Sequence, residues 1–278
     1  MTKKLRVVIL SAYPLVDRHV HKKVLLDGLA KKLGEQIESL TVVYGGINAG
    51  AYLKEMQRNG GLRESLKLFK AVASRRTSNR AKVKAEQGRQ EEGRLISPRK
   101  GTVSAMARQL GVAVKGFDRL GNPECLAYLR ELRPTVAINL SGVYLSKKLL
   151  DSFEMGVIGG HYAELPRIRG GDTVRWTVLL DAPMIVTHMF LVPSLDLGDI
   201  LRTVSIPVRR GDDILTIRGK CQAAAVAGHL ELIDGLADGA VERRRQLPEE
   251  GSTFFMMGGY LRGEVDRILR EGQYGHYQ

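Results

Sequence analysis

A histidine, an aspartate and two arginines, set among glycines, are the residues of this chain whose types and spacing suit chemistry. In Gly159-Gly160-His161-Tyr162-Ala163-Glu164-Leu165-Pro166-Arg167-Ile168-Arg169-Gly170-Gly171 the histidine directly follows a short apolar run. Leu-Pro then fixes an extended bend. Arg-Gly-Gly leads into a segment that Asp172 or Thr173 can cap as a helix. In open α/β sheets, ligands bind at the C-terminal strand ends, and a histidine there can give or take a proton near neutral pH. Position alone leaves open the alternative that it bonds a loop. The second element is Ser194-Leu195-Asp196-Leu197-Gly198-Asp199-Ile200-Leu201, two carboxylates between apolar runs. An aspartate there can hold a histidine's charged form or position a water. Equally, Asp196 and Asp199 can make a tight turn with Gly198. Arg167 and Arg169 suit an anionic substrate group. Asp172 and Trp176 open the next helix beside them, where substrate contact and capping are both open.

The elements that must position these residues read as alternating strands and helices. Residues 6–12 (RVVILSA) are a β-branched apolar run ending in the turn Tyr13-Pro14, a buried strand. Residues 17–33 carry apolar positions at helical spacing, and 39–44 form a second strand closed by Gly45-Gly46, which completes a β-α-β unit. Further on come helix 102–110, strand 112–114 and helix 122–132, with Asn122 as N-cap and Pro123 in the first turn. The remainder is strand 135–140, helix 145–153, strand 156–159, helix 173–180 and strands 184–192 and 200–206. A long helix follows from Asp212 or Asp213 to about Ala237, then a late strand 241–247 and an amphipathic helix 259–270. The expected fold is α/β, with a mostly parallel sheet flanked by helices and one or two antiparallel partners after residue 184. Met256-Met257 with Phe254 and Phe255 is an apolar cluster that suits packing or a homodimer contact.

Composition narrows the classes. The chain has 278 residues, 44% hydrophobic and 26% charged, which excludes wholesale disorder. Its net charge is +13. Residues 47–100 alone hold fourteen Lys/Arg and five Asp/Glu, so +9 of that total lies in one segment. A short amphipathic helix fits Leu62–Val72, and 74–100 reads as an exposed insertion. Two cysteines, Cys125 and Cys221, lie far apart, which excludes a disulfide framework and points to reduced thiols. His19-Val20-His21 could be half of a metal site but reads better as a solvent-facing or substrate-pocket pair, and no metal is expected. The N-terminal apolar run is too short for a signal peptide. No stretch approaches the roughly 20 apolar residues that span a bilayer. A cytoplasmic protein without membrane contact is the expectation.

The order and spacing of His161, Leu165-Pro166, Arg169-Gly170 and Leu195-Asp196-Leu197-Gly198 resemble the folate-dependent formyltransferase family, which includes glycinamide ribonucleotide, methionyl-tRNA and sugar-amine formyltransferases. Members of that family carry Asn-x-His, Leu-Pro, an Arg-Gly pair and a downstream Leu-Asp-x-Gly loop. The resemblance covers roughly 100–210, with 5–45 as a generic first β-α-β. It implies a Rossmann-like formyltransferase fold over 1–210, a basic insertion at about 47–100 and a short C-terminal helical extension over 211–278. It also implies 10-formyltetrahydrofolate as co-substrate, His161 as the catalytic histidine, and Asp196 as the aspartate that orients it and a proton-relaying water. By the same resemblance Gly142, Val143, Tyr144, Leu145 and Leu195 line the pterin pocket, and Arg167, Arg169 and Asp172 meet the acceptor.

The family's asparagine falls on Gly159, which has no side-chain donor for an oxyanion. Asn139, at the end of the neighbouring strand, or Tyr162 can substitute. Altered chemistry, or a fold kept without the transferase activity, stay open beside that. The expected reaction is formyl transfer to the amine of a small molecule, an amino sugar or an amino-acid derivative. An enzyme acting on RNA or aminoacyl-tRNA through the basic segment 54–100 is the other class. That segment offers one aromatic, Phe69, and so no stacking platform, and nucleic acid is the less favoured partner.

Overall fold

The computed structural model describes residues 3–12, 17–45 and 95–278. The Tyr13-Pro14 turn, Gly46, the helix expected at 62–72 and nearly all of the basic insertion lie outside the described residues. Nine strands are described: β1 (Leu5–Ala12), β2 (Ile37–Gly45), β3 (Ala113–Phe117), β4 (Val136–Asn139), β5 (Gly156–His161), β6 (Ile168–Gly170), β7 (Ile185–Phe190), β8 (Ile200–Ser205) and β9 (Ser252–Phe254). The described helices are α1 (Val20–Ala30), α2 (Val103–Gln109), α3 (Pro123–Leu132), α4 (Lys147–Leu150), α5 (Thr173–Leu179), α6 (Ile214–Ala237) and α7 (Gly259–Arg270).

Seven strands form one sheet in the order β3-β2-β1-β4-β5-β7-β8. The first five are mutually parallel, and β7 and β8 add antiparallel. The order reverses between β1 and β4. This switch point is where open α/β sheets leave a crevice beyond their strand ends.

Alternation along β1 shows how the core divides. Val7 and Ile9 face one layer with Leu25, Leu26 and Leu29 of α1, Met106 of α2, and Leu232, Ile233 and Leu236 of α6. Val8 and Leu10 face the other, with Leu129 of α3 and Leu149 and Leu150 of α4. Both sides of the strand are buried, so it reads as a continuous apolar run. The long helix of the C-terminal segment therefore supplies core to the sheet. Its first half, with Val265 and Leu269 of α7 and Tyr274, packs on Val174, Val178 and Val186.

Local chemistry sets the element ends. The Asn122 carboxamide oxygen accepts from the Cys125 N–H at 2.8 Å, and Arg133 closes α3 in the left-handed region at φ 47°. Asp213, rather than Asp212, caps α6 by accepting from Thr216 N–H at 2.7 Å. Leu145 and Ser146 stay outside α4, because the Ser146 hydroxyl caps it, so the helix expected at 145–153 shortens to one turn.

One further expectation needs correction. Residues 241–247 are not a strand. Only Arg244 pairs, exchanging both backbone hydrogen bonds with Ile200 at 2.8 Å. Three consecutive arginines lack the alternation a half-buried strand needs. The strand lies later, as β9, which pairs in parallel with β6 in a separate two-stranded sheet. Strands of three residues give no periodic signal. Among the described residues no helix is long and apolar enough to cross a membrane.

Candidate functional site

The β4–α4 turn and the β7–β8 loop face each other across a cavity of about 260 Å3. Its walls include Asn139, Gly142, Val143, Tyr144 and Leu145 on one side and Ser194, Leu195, Asp196 and Leu197 on the other. The cavity thus brings together all five residues expected for the pterin pocket, with Asn139 and Asp196. Leu150, Met189 and Leu191 make its apolar remainder. The Tyr144 hydroxyl donates to the Pro193 carbonyl at 2.6 Å and ties the two walls together. Tyr144, Val143 and Leu195 are exposed apolar groups, at 70%, 41% and 53%. Among the described residues, this rim is exposed apolar surface.

Asn139 ends β4. Its carboxamide oxygen accepts from the Ser141 N–H at 3.1 Å and the Ser141 hydroxyl at 2.6 Å. That Asx turn fixes the amide plane. No acceptor among the described residues takes the Nδ2 hydrogens, so the amide remains a donor in the cavity wall. Gly142 sits at φ 68°, a left-handed position that lets the turn enter the exposed Val143–Tyr144 pair. Sequence reasoning missed Ser141, although Asn-x-Ser before a glycine is a turn signal.

Asp196 is itself left-handed, at φ 50°. Its Oδ2 accepts from the Gly170 N–H at 2.7 Å and lies 3.5 Å from His161 Nδ1. Oδ1 has no protein partner among the described residues. Buried Gln246 clamps the loop from behind, donating to the carbonyls of Asp196 at 3.1 Å and Gly198 at 2.6 Å. Nothing in the arginine-rich sequence around Gln246 signalled that role. The clamp is close, because a Cβ on Gly198 would lie 1.5 Å from the Phe190 carbonyl oxygen.

His161 is the last residue of β5, within the strand and not after it, and is only 7% exposed. Its Nε2 is 2.7 Å from the Ile168 carbonyl. A carbonyl only accepts, so Nε2 carries the proton, and Nδ1 is the nitrogen that faces Asp196. The imidazole sits behind Asp196 and outside the cavity wall.

Gly159 shares this face of β5. A Cβ there would fall 2.6 Å from Leu191 Cδ2 and 3.2 Å from Leu191 Cγ. Leu191 therefore fills the space that an asparagine side chain would take. Tyr162, the other candidate donor, packs in the cluster of α5, α6 and α7 and is absent from the cavity wall. Burial raises its hydroxyl to about 12.

Two of the three residues expected to meet the acceptor are held by the fold. The Arg169 guanidinium donates to the carbonyls of Pro248 and Leu247, each at 2.8 Å, and the side chain is buried. It anchors the β9 segment and offers no free donor fork to an anion. The Asp172 carboxylate neither caps α5 nor reaches solvent. It is fully buried against Arg175 at 2.9 Å, Arg218, and Arg262 at 3.5 Å. Arg167 stays exposed, with Glu164 3.8 Å away.

Against the opposite face of β5, near Gly160, lie two more histidines, His188 of β7 and His229 of α6. His188 and His229 both donate to the Ala225 carbonyl, and their rings meet edge-on at 4.8 Å. Gly228 and Gly160 leave room for them. Burial, then the neighbouring His188, pushes His229 down to about 3, and burial also lowers His188. Burial and the charges of His19 and Lys22 lower His21 to about 4. These side chains are neutral in the folded chain, while the unfolded chain takes up protons below about 6.5. Stability is therefore complete above that pH and falls as pH drops towards 4, by about 1.4 kcal/mol per pH unit for each such histidine. Urea midpoints measured from pH 8 to pH 4.5 are expected to fall below about 6.5, and His229→Gln is expected to flatten the slope. A flat wild-type profile would remove the buried neutral histidines as its cause.

No family model matches the chain. It is 32% identical over 164 residues to the methionyl-tRNA formyltransferase of Acidothermus cellulolyticus, covering 58% of this chain and 50% of that protein. The chain spans about half the length of the curated relatives it matches. Among solved structures, it superposes on phosphoribosylglycinamide formyltransferase from Anaplasma phagocytophilum with a TM-score of 0.57 at 14% identity, over 92% of this chain and 100% of that one. It superposes on the N-formyltransferase from Helicobacter canadensis, in complex with folinic acid and dTDP-3-aminofucose, with a TM-score of 0.54 at 12% identity, over 90% and 71%. The fold is the Rossmann-like formyltransferase fold, and the sequence resembles that of the folate-dependent formyltransferases.

Proposed function

We propose that the chain transfers a formyl group from 10-formyltetrahydrofolate to the amine of a small molecule. The observation that carries this reading is the juxtaposition, in one cavity, of an amide donor fixed by an Asx turn and a carboxylate with one unpartnered oxygen. Ligand pockets usually run to about 300 Å3 or more. This smaller cavity suits a bicyclic ring, with the rest of the folate against the exposed Tyr144, Val143 and Leu195. The Helicobacter canadensis neighbour, described as bound to folinic acid, supports a folate.

In this reading the acceptor nitrogen attacks the formyl carbon. A bond forms between them, and the carbonyl oxygen becomes an oxyanion that the Asn139 amide stabilises. The ammonium proton passes to Asp196 Oδ1, directly or through a water, and then to the folate nitrogen as its bond to the carbon breaks. His161 acts through Asp196. With Nε2 held by Ile168, its ring backs the Asp196 loop, while the Gly170 N–H holds the carboxylate.

Asn139→Ala is expected to lower kcat by about 10²–10³, the usual effect of losing one oxyanion donor, with folate affinity retained. The assay follows tetrahydrofolate release spectroscopically over a panel of amines. Folate binding without turnover by any amine would favour a second reading, a formyltransferase fold without the transferase activity. Leu191 filling the space above Gly159 is the observation behind that reading. No folate binding at all would sink the folate assignment. The small-molecule acceptor, a cytoplasmic location and a homodimer belong to the same proposal. An RNA-directed reading would rest on the basic segment 54–100, of which 54–94 lie outside the described residues.

A further inference from the structure

Asp196 holds a backbone conformation that needs support. A residue other than glycine persists at φ 50° where its surroundings fix it there. Two groups do so, and one stretch of the C-terminal segment, residues 244–254, supplies the first and braces the second. The first is Gln246, only 4% exposed, whose Nε2 donates to the carbonyls of Asp196 at 3.1 Å and Gly198 at 2.6 Å. Carbonyls only accept, which sets the orientation of the amide. No group among the described residues donates to its Oε1. The hydrogen bonds of this side chain therefore all go to the 196–198 turn. The second is the Gly170 N–H, which donates to Asp196 Oδ2 at 2.7 Å. It lies on β6, which β9 braces by pairing Gly170 with Phe254.

Gln246 is itself placed by backbone on both sides. Before it, Arg244 exchanges both main-chain hydrogen bonds with Ile200, the first residue of β8, at 2.8 Å. After it, the Arg169 guanidinium takes the carbonyls of Leu247 and Pro248, each at 2.8 Å. The donor thus reaches the turn from a fixed support, which is what precise placement of a reacting group requires. Gln246 is not among the residues that line the cavity. Whatever it does for the site, it does through the loop.

We propose that Gln246 is a positioning residue for the proton-accepting carboxylate. By holding the Asp196 carbonyl it keeps that residue left-handed, so that Oδ2 stays on the Gly170 N–H and Oδ1 stays open to the cavity. Were φ to relax to the usual negative range, the carboxylate would swing off the Gly170 N–H. The inference rests on the formyl-transfer reading for the proton, but the positioning is measurable without turnover.

The full chain is compared with Gln246→Met, which keeps the bulk of the side chain and removes its donors, and with Gln246→Glu, which keeps the shape and sets an acceptor where the donor was. Amide hydrogen exchange, read residue by residue by NMR, needs no substrate. The Gly170 amide is expected to exchange about tenfold faster or more in both variants. The Gly171 amide, bonded to the Phe254 carbonyl at 2.9 Å, is expected to be unchanged. With the best amine of the panel, kcat is expected to fall about ten- to a hundredfold, the scale of a misplacement of about 1 Å. Affinity for 5-formyltetrahydrofolate is expected to stay within about threefold, so that the loss falls on kcat. In an Asp196→Asn background, assayed with enzyme in excess over folate, no carboxylate remains to be aimed. There Gln246→Met is expected to cost less than about twofold more, because the two residues act as one unit. Unchanged Gly170 exchange with unchanged kcat overturns the proposal. Gly171 exchange that accelerates as much as that of Gly170 also overturns it, since Gln246 would then only hold the segment together. So does a loss of kcat equally large in the Asp196→Asn background. The expected exchange pattern in a parent chain that turns over no amine upholds the positioning of Asp196 and defeats the formyl-transfer reading instead.

Discussion

Asp196→Asn lowers kcat by about 10²–10⁴, the range expected when a positioned proton acceptor is lost, and leaves folate affinity within a few fold. The substitution is chosen for its backbone. Asp196 sits at φ 50°, a conformation that asparagine tolerates and most residues resist. The side-chain oxygen of asparagine can still accept from the Gly170 N–H, and the Gln246 bonds go to backbone carbonyls that the change does not touch. The loop that walls the cavity therefore keeps its shape, while the atom that takes the amine proton becomes an amide. The measurements are steady-state kcat and KM with the best amine of the panel, and 5-formyltetrahydrofolate binding by calorimetry. An unchanged kcat would remove Asp196 from proton transfer. A loss of folate binding in step with kcat would show that the loop had collapsed, and would make the residue structural.

The sequence carried the parallel core plainly, because its signals are local and repeated. β1 and the later part of β2 are buried on both faces and read as largely apolar, β-branched runs, and Asn122-Pro123 and the Asp212-Asp213 pair announce their helices by cap chemistry. The residues that line the cavity were named through the family resemblance. Asn139, Gly142–Leu145 and Leu195–Asp196 sit on two short loops whose spacing is fixed by the strands before them. What sequence could not show depends on contacts between distant residues. Arg169 beside a glycine reads as an anion ligand, and only the carbonyls of Leu247 and Pro248, nearly 80 residues on, reveal its structural role. Asp172 reads as a cap until three arginines from three helices are seen around it. His161 reads as a group facing substrate, and only the fold shows that its Nε2 is taken by the Ile168 carbonyl, 2.7 Å away.

The glycine in place of the family's asparagine leads to the second large effect. Gly159→Asn alone is expected to destabilise the chain by about 1–3 kcal/mol, the usual cost of overfilling a packed site. The new Cβ would meet Leu191 Cδ2 at 2.6 Å, and Leu191 cannot retreat as a unit, since its N–H is bonded to the Val157 carbonyl at 2.7 Å. Its side chain can be shortened instead. In Gly159→Asn with Leu191→Ala the amide gains room beside the cavity that Leu191 lines, and the double variant is expected to be more stable than the two single changes predict together, by the coupling typical of touching residues. Activity gives the sharper reading. If Asn139 is the oxyanion donor, a second amide at 159 makes it partly redundant. The loss caused by Asn139→Ala, about 10²–10³ in the parent chain, should then shrink at least tenfold in the Gly159→Asn, Leu191→Ala background. Urea midpoints give the stability cycle and kcat gives the functional one. Gly159→Asn that is as stable as the parent would show that Leu191 does not fill the space. An undiminished Asn139→Ala loss in the double background would mean that the asparagine side chain at 159 does not reach the oxyanion. The chain would then depend on Asn139 alone, through a donor position on β4 that its β5 glycine cannot replace.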